Sequence, residues 1–574
     1  MTNTLRSSRW FDRNDEVGFN HRAALRSEGF TPSAFEGKPV VGICNSWSEF
    51  NNCNLHLRAV ADAVKRGVWA AGGFPLEFMT ISLGEELMMP TAMLYRNLMA
   101  IDVEEMIRSH PMDGVVLLSG CDKTTPAQLM GSASMDVPAI MVPGGPMLSG
   151  MWRNQPVGSG TDLWKMWDER RAGRLRESEW KDLEGAMARG PGHCMTMGTA
   201  STMTSLAEAL GMTLPGCASI PAVDSRRYAV AEATGRRIVA MIGESLRPSR
   251  IMTVQAIENA IRVFAALGGS TNAIIHLVAI AGRLGINLPL ARFDEISRET
   301  PVIANILPSG QYLMENFYHA GGLQAVMKEI LPMLHGEQVT ASGRTVAENL
   351  ERVECYDRDV IRPLDNPVHP KGSFVVLHGN LAPNGAVLKA SAASTRLLQH
   401  TGPALVFENY EEMLSRVEEP GLDVTRESVL VLKNGGPVGG PGMPEWGQIP
   451  IPTKLLKCGV KDMVRISDSR MSGTSFGAVV LHVAPESAVG GPLAVVQNGD
   501  PIRLDVESRR LDLLIPDQEL QRRLSAWRPA RNQYRRGYYT MFLEHILQAD
   551  KGCDFDFLIG DPDDVPYEPI VGRS

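Results

Sequence analysis

No Cys-x-x-Cys pair occurs in this chain, although it carries eight cysteines. That absence removes the zinc ribbon and the thioredoxin-type redox pair from consideration. Also missing are any run of five or more like charges and any basic stripe, and the formal net charge is -8. Nucleic acid is therefore not an expected partner. No uncharged apolar stretch reaches the ~18 residues of a membrane helix, so no membrane association is expected. The opening stretch MTNTLRSSRWFDRNDEVG lacks the apolar segment of a secretory signal, and the expectation is a cytoplasmic protein. In that reducing compartment the cysteines should not pair as structural disulfides. They are left as buried thiols, a nucleophile, or metal ligands distant in sequence. The Gly-rich stretch KNGGPVGGPGMPEWG (433–447) lacks the Lys-Ser/Thr of a phosphate-binding P-loop. Ser472 is not the serine of a G-x-S-x-G elbow, no triad is evident, and there is no fixed-period repeat or low-complexity tract.

What is present is a chain of 574 residues, enough for two to four domains at roughly 100–200 residues each. The first part alternates strand-like and helix-like segments. PVVGIC, PLEFMTIS, DGVVLLSG and VPAIMVPGG read as strands; LHLRAVADAVKRGVWAAGG, residues 87–109 and TTPAQLMGSASM read as helices. Such repetition predicts a parallel sheet covered on both faces. From about 160 to 335 the pattern is mostly helical. A polar stretch with Pro363, Pro367 and Pro370 marks a boundary. Beyond it, short β-branched runs separated by Gly, Asn and Pro predict a β-rich barrel or sandwich. The fold class expected is thus α/β: a parallel-sheet domain with added helices over 1–370, and a β-barrel-like domain over 371–574. The 29 methionines are read as core filler.

In open α/β sheets, ligands bind beyond the carboxyl ends of the strands. Unusual residues follow several of them. PVVGIC leads to Cys53, PLEFMTIS to Glu85 and Glu86, and DGVVLLSG to Cys121, Asp122 and Lys123; Cys194 sits in GPGHCMTMGTAST before a Ser/Thr-rich helix. A lone cysteine is usually a small buried hydrophobe. Three in such loops could instead converge on one sheet edge. Thiolates select soft metals, whereas Asp and Glu suit a hard ion, so two adjacent inorganic centres are the natural reading. Lys123 is either a counter-charge or, if buried, a group with its own chemistry. His193 is read as a surface or supporting residue beside Cys194. In the C-terminal half, Glu445 is a possible hard-metal ligand. Ser472 lies in the loop SDSRMSGTSFG, where a plain hairpin is the simpler alternative.

Six stretches in order, CNSWSEFNNCN, SGCDKTTPAQLMG, GHCMTMGTASTM, ALGGSTNAIIHLVAIAG, NGGPVGGPGMPEW and SDSRMSGTSFG, resemble the dihydroxy-acid/phosphogluconate/aldonate dehydratase family. The resemblance implies an iron–sulfur cluster on Cys53, Cys121 and Cys194, either [2Fe-2S] or [4Fe-4S], with one iron open to substrate. It implies Mg2+ on Asp122, Glu445 and Lys123, the lysine carbamylated by CO2. It implies Ser472 as the base, with Thr474 hydrogen-bonding nearby. Branched-chain members carry Asp-Gly after the second strand, whereas this chain has SLGEE. Glu85 is taken as the replacement ligand, with Glu86 the alternative. The SLGE form and RRGYYTMFLEHILQADKGCDFDFL resemble the sugar-acid branch, which implies dehydration of an aldonate such as L-arabinonate or D-xylonate to a 2-keto-3-deoxy acid. A branched-chain 2,3-dihydroxy-acid dehydratase is the alternative, and phosphogluconate is disfavoured for want of an Arg/Lys cluster. A homodimer or homotetramer is also implied. A non-enzymatic iron–sulfur protein would not need Ser472, Glu445 and Lys123 together.

Overall fold

The computed structural model describes residues 4–529, 534–560 and 567–573. Four parallel strands form the first sheet: β1 (Val40–Asn45), β2 (Phe74–Met79), β3 (Gly114–Ser119) and β4 (Ala139–Pro143), in the order β2-β1-β3-β4. Every residue of β1, β3 and β4 is buried, as expected for strands covered on both faces. Helices Leu57–Ala70 and Ser225–Glu244 pack on each other and on the sheet, as do Arg96–Ser109 and Thr124–Met135. The helix expected over 87–109 begins late. It starts at Arg96 after a short 3-10 turn, Ala92–Tyr95, because Pro90 has no N–H to give and Thr91 caps the turn through its side chain. The freed stretch becomes the loop that carries Glu85 and Glu86. A short hairpin, β5 (Gly150–Trp152) and β6 (Gln155–Val157), leads into the helical region. There Thr199–Ala209 is buried on all sides, and Asn272–Gly282 very nearly so.

The second sheet has eight strands: β7 (Val375–Leu377), β8 (Gly385–Leu388), β9 (Gln399–Phe407), β10 (Val429–Leu432), β11 (Arg465–Ser467), β12 (Val479–Ala484), β13 (Pro501–Asp505) and β14 (Arg510–Leu513). Their order is β14-β13-β9-β10-β11-β12-β8-β7. The two edges meet where His378, just after β7, exchanges backbone hydrogen bonds with Arg509 and Leu511, so the sheet is a nearly closed barrel. From sequence a plain hairpin is the simpler alternative for the loop SDSRMSGTSFG, yet β9 to β12 are all parallel. The loop 468–478 is therefore a crossover rather than a hairpin turn, and β10 and β11 present their carboxyl ends together. Among the described residues no helix is long and apolar enough to cross a membrane.

One core residue is out of character. Lys389, directly after β8, is 1% exposed and its Nζ has no hydrogen-bond partner among the described residues. Burial alone pulls its amine down to about 7. The unfolded amine titrates near 10.4, so between these values the unfolded chain binds more protons and stability rises with pH. Wild type should gain about 3 kcal/mol between pH 7 and 10 relative to Lys389→Met, measured by denaturant unfolding at both pH values; parallel pH dependence in the two proteins would refute this.

Candidate active site

The loop after β3 holds the centre of the site. Gly120 is required there: a Cβ at this position would lie 2.6 Å from the Cys53 carbonyl oxygen. Thr124 opens the following helix and takes a 3.0 Å hydrogen bond from the Cys121 amide. Between these anchors the three side chains diverge. Lys123 is fully buried, and its Nζ lies 2.9 Å from Glu85, 3.2 Å from Asp122 and 3.4 Å from Glu445. Glu85, Asp122 and Glu445 each bring an oxygen within 4.8 Å of the others. Burial and nearby Arg470 press the Lys123 amine down, but the three carboxylates outweigh them and hold it above its ordinary value. Burial likewise raises Glu85, and Lys123, Arg470 and Thr91 together overcome it and leave the carboxyl low.

Supporting residues reach in from distant parts of the chain. Arg470, fully buried after β11, donates to Glu445 at 2.9 Å and to Thr91 at 3.1 Å. Thr91 in turn donates to Glu85 at 2.5 Å. Asn272, first residue of its helix, donates to Glu445 at 2.9 Å and to the Met471 carbonyl at 3.2 Å. None of Arg470, Asn272 or Thr91 was singled out from sequence. Arg470 and Asn272 stand in two of the six characteristic stretches, and a charged or amide group amid small and apolar neighbours was the available signal.

The thiols form a second group beside the first. The sulfurs of Cys53 and Cys121 and a carboxylate oxygen of Glu86 lie within 4.8 Å of one another. Both cysteines are buried. The Cys53 thiol is pushed well up, first by the hydrogen bond it shares with Cys121 and then by burial. Burial also raises Cys194; Glu86 is exposed as a residue, but the partial burial of its carboxyl end, with help from Asp122, holds it above its ordinary value. Cys194 is not a member of the 4.8 Å group, but it lines the same cavity as Glu85, Glu86, Asp122 and Glu445. Next to it His193 is buried and held neutral, its pKa lowered to about 3 by burial. One ring nitrogen faces the Cys194 carbonyl at 3.1 Å, and the other, Nε2, has no partner among the described residues.

That cavity measures about 700 Å³, within the usual range for small-molecule sites. Ser472 and Thr474 lie on its wall. Their hydroxyls are 2.8 Å apart, and Trp164 Nε1 donates to Thr474 Oγ1 at 3.3 Å. Gly473 between them is pressed against the neighbouring backbone, since a Cβ there would lie 2.6 Å from the Thr199 amide and the Ser270 side chain. The far wall is largely apolar, with Trp446 stacked on Tyr410 at 4.7 Å. Lys123, Cys53 and Cys121 sit behind the wall through their contacts with Glu85, Asp122 and Glu86. The residues expected from sequence thus meet at one place.

Residues 38–349 match the family model described as dihydroxy-acid/6-phosphogluconate dehydratase N-terminal, and residues 359–553 match its C-terminal counterpart. The chain belongs to the dihydroxy-acid/6-phosphogluconate dehydratase family. As a member it is a dehydratase, a hydro-lyase. It is similar to an L-arabinonate dehydratase of Rhizobium leguminosarum bv. trifolii, 53% identical over 558 residues that cover 97% of this chain and 96% of the relative. A 6-deoxy-6-sulfo-D-gluconate dehydratase of Pseudomonas putida is 51% identical over 569 residues, 99% of this chain and 98% of the relative. A dihydroxy-acid dehydratase of Ignicoccus hospitalis is 42% identical over 545 residues, 94% and 98% respectively.

In this dehydratase Asn272 is neutral and acts on Glu445 by position alone. Asn272→Ala should weaken divalent-cation binding by about 10–100-fold, the usual cost of losing a group that orients a ligand. Calorimetric titration of Mg2+ into the metal-stripped protein tests this, and unchanged affinity would show that Glu445 needs no such support.

Proposed function

We propose that this dehydratase acts on sugar acids, converting an aldonate, a pentonate such as L-arabinonate or D-xylonate or a hexonate, to its 2-keto-3-deoxy acid with loss of water. The observation that carries the reading is the meeting of a thiol group, a carboxylate group and Ser472 on one cavity. Two of the relatives above 50% identity, the L-arabinonate and the 6-deoxy-6-sulfo-D-gluconate dehydratase, are named for sugar acids and support the substrate class.

The residues fit the cofactors of such chemistry. Cys53 and Cys121 with Cys194 nearby fit an iron–sulfur cluster, [2Fe-2S] in our reading, because the described residues bring no cation to these buried sulfurs. Glu85, Asp122 and Glu445 fit Mg2+, being hard oxygen donors gathered around a position already held by an ammonium. A carbamate on Lys123 is consistent with the same charge pattern: exchanging the ammonium for a carbamate and a divalent cation leaves the formal charge of the pocket unchanged. When bound, the two groups supply Lewis acidity at the leaving C3 hydroxyl and acidify the C2–H bond.

The chain's own residues do the rest. Ser472 is the base that takes the C2 proton. Thr474 Oγ1 accepts from Trp164, which leaves its single proton free to donate to Ser472 Oγ and so to stabilise a serine alkoxide. Arg470, Asn272 and Thr91 orient Glu445 and Glu85. A division into domains 1–370 and 371–574 puts the thiols, Glu85, Asp122 and Lys123 on one side and Glu445 with Ser472 on the other; the family matches part between 349 and 359. All eight cysteines are unpaired, which supports a cytoplasmic setting. Exposed Phe50, Leu87 and Met89 near the site support self-association as a homodimer or homotetramer.

The apolar far wall and the 42% identical relative favour a second reading, a branched-chain 2,3-dihydroxy acid as substrate. Anaerobic assays with pentonates, hexonates and 2,3-dihydroxyisovalerate, detecting 2-keto acid, decide between them; turnover confined to the branched-chain acid would overturn the sugar-acid reading. Ser472→Ala should lose about 10²–10⁴-fold in kcat with iron and Mg2+ contents unchanged. Cys121→Ser should lose iron and visible absorbance. Wild-type turnover in the first variant or wild-type iron in the second would refute the corresponding role.

A further inference from the structure

The site has four carboxylates, and one of them is out of place. Glu85, Asp122 and Glu445 all face Lys123. Glu86 faces sulfur: its carboxylate shares a 4.8 Å group with Cys53 and Cys121 and belongs to no group with the other three. Among the described residues it has no ion pair or hydrogen-bond partner on another residue, whereas its neighbour Glu85 has Thr91 and Lys123. It also lines the cavity, so one side of the carboxylate is open to whatever enters.

An acid set beside two thiols becomes a repulsive arrangement once the thiols ionise, as they do on binding a metal, unless the ion joins them; Lys123, the one cation acting on Glu86, is paired to the other three carboxylates. The spacing suits one. Two donors on a tetrahedral metal with bonds of about 2.3 Å lie about 3.8 Å apart, inside the limit that this trio meets. The three cysteines of the iron–sulfur reading leave one ligand position open, and an oxygen donor is the natural occupant of such a position on iron.

We propose that Glu86 is a displaceable ligand of the thiol-held iron: it occupies the open position when the cavity is empty and yields it to the substrate hydroxyl. The exchange replaces one oxygen donor by another, and no electron moves. The proposal rests on the iron–sulfur reading above. It assigns the two adjacent glutamates of SLGEE to different metals, Glu85 to the hard ion and Glu86 to the soft centre, and gives Glu86 a protective task, since a filled position denies dioxygen access to the iron.

The test uses anaerobically prepared holoenzyme of wild type, Glu86→Gln and Glu86→Asp, with visible circular dichroism, Mössbauer spectra, bleaching half-life in air and Mg2+ content as readouts. In the absence of substrate, Glu86→Gln should differ from wild type in both spectra and bleach at least threefold faster. Saturation with the sugar acid that turns over best should bring the two sets of spectra together, and Mg2+ content should not change. Superimposable spectra and equal half-lives would overturn the proposal, as would loss of Mg2+ with the iron spectra unaltered. Should Glu86→Gln hold no iron, Glu86→Asp decides: wild-type spectra support the proposal, and absence of iron there too refutes a replaceable ligand. Iron-free wild-type protein would instead overturn the underlying iron–sulfur reading.

Discussion

A charge held out of water organises this site. Lys123 has no exposure at all, and its ammonium is compensated by Glu85, Asp122 and Glu445. A buried charge without partners costs several kcal/mol, and leaving any of these carboxylates alone would be as costly. The rest of the polar interior follows from that balance. Three carboxylates outnumber one ammonium, so a second buried cation, Arg470, is drawn in; Asn272 donates to the same Glu445 oxygen as Arg470, and Thr91 to the Glu85 oxygen that Lys123 leaves. At Glu86 and the thiols no ion pair among the described residues makes that balance, and this is where we place the soft metal of the proposed function.

Convergence of so many groups needs loops that approach closely, and the fold supplies them at strand ends. Parallel strands point their carboxyl ends the same way, so the loops after β1, β2 and β3 crowd together. The same logic holds in the barrel, where β10 and β11 are parallel and deliver Glu445 and Ser472 from adjacent loops. Gly120 and Gly473 sit at close contacts, one against Cys53 and the other against Thr199. Any side chain there would push one half of the site away from the other, which is why small residues bracket the reactive ones.

Much of this was legible in the residues. Cys121, Asp122 and Lys123 are conspicuous because three unlike groups end an apolar run, and the parallel sheet was visible in its alternating segments. Other features were hidden for definite reasons. Glu85 and Glu86 are adjacent on an irregular loop, where no periodicity says which side chain turns to which partner. Arg470 meets Thr91 across 379 positions, so its role lies in a pairing that no local pattern records. The strand directions of the barrel were misleading as well. Helices Tyr410–Arg416 and Thr453–Lys457 fill the connections after β9 and β10, and such short crossovers leave a texture of strands and turns that hairpins would also leave. The closing contact of His378 with Arg509 and Leu511 is likewise long-range and unmarked.

The origin of the ligands also governs how the site responds to a metal ion. Glu85, Asp122 and Lys123 come from the first sheet and Glu445 from the barrel, so a cation among them ties the two together. Lys123 already makes that tie through its contact with Glu445. The pocket is therefore formed, and its charge largely balanced by Lys123 and Arg470, without any ion; in the function we propose, metal binding is an exchange of one cation for another. Exchange keeps the geometry of the carboxylates, since each oxygen merely changes its positive partner, and it spares the protein the ordering cost of assembling a site around the ion. Ser472 stands on the next loop of the same barrel and shares this rigidity, because Gly473 and Thr474 are packed against the helices that begin at Thr199 and Thr161. In the function we propose, a base that must work on a proton beside two metal centres gains most from being held in place before the substrate enters.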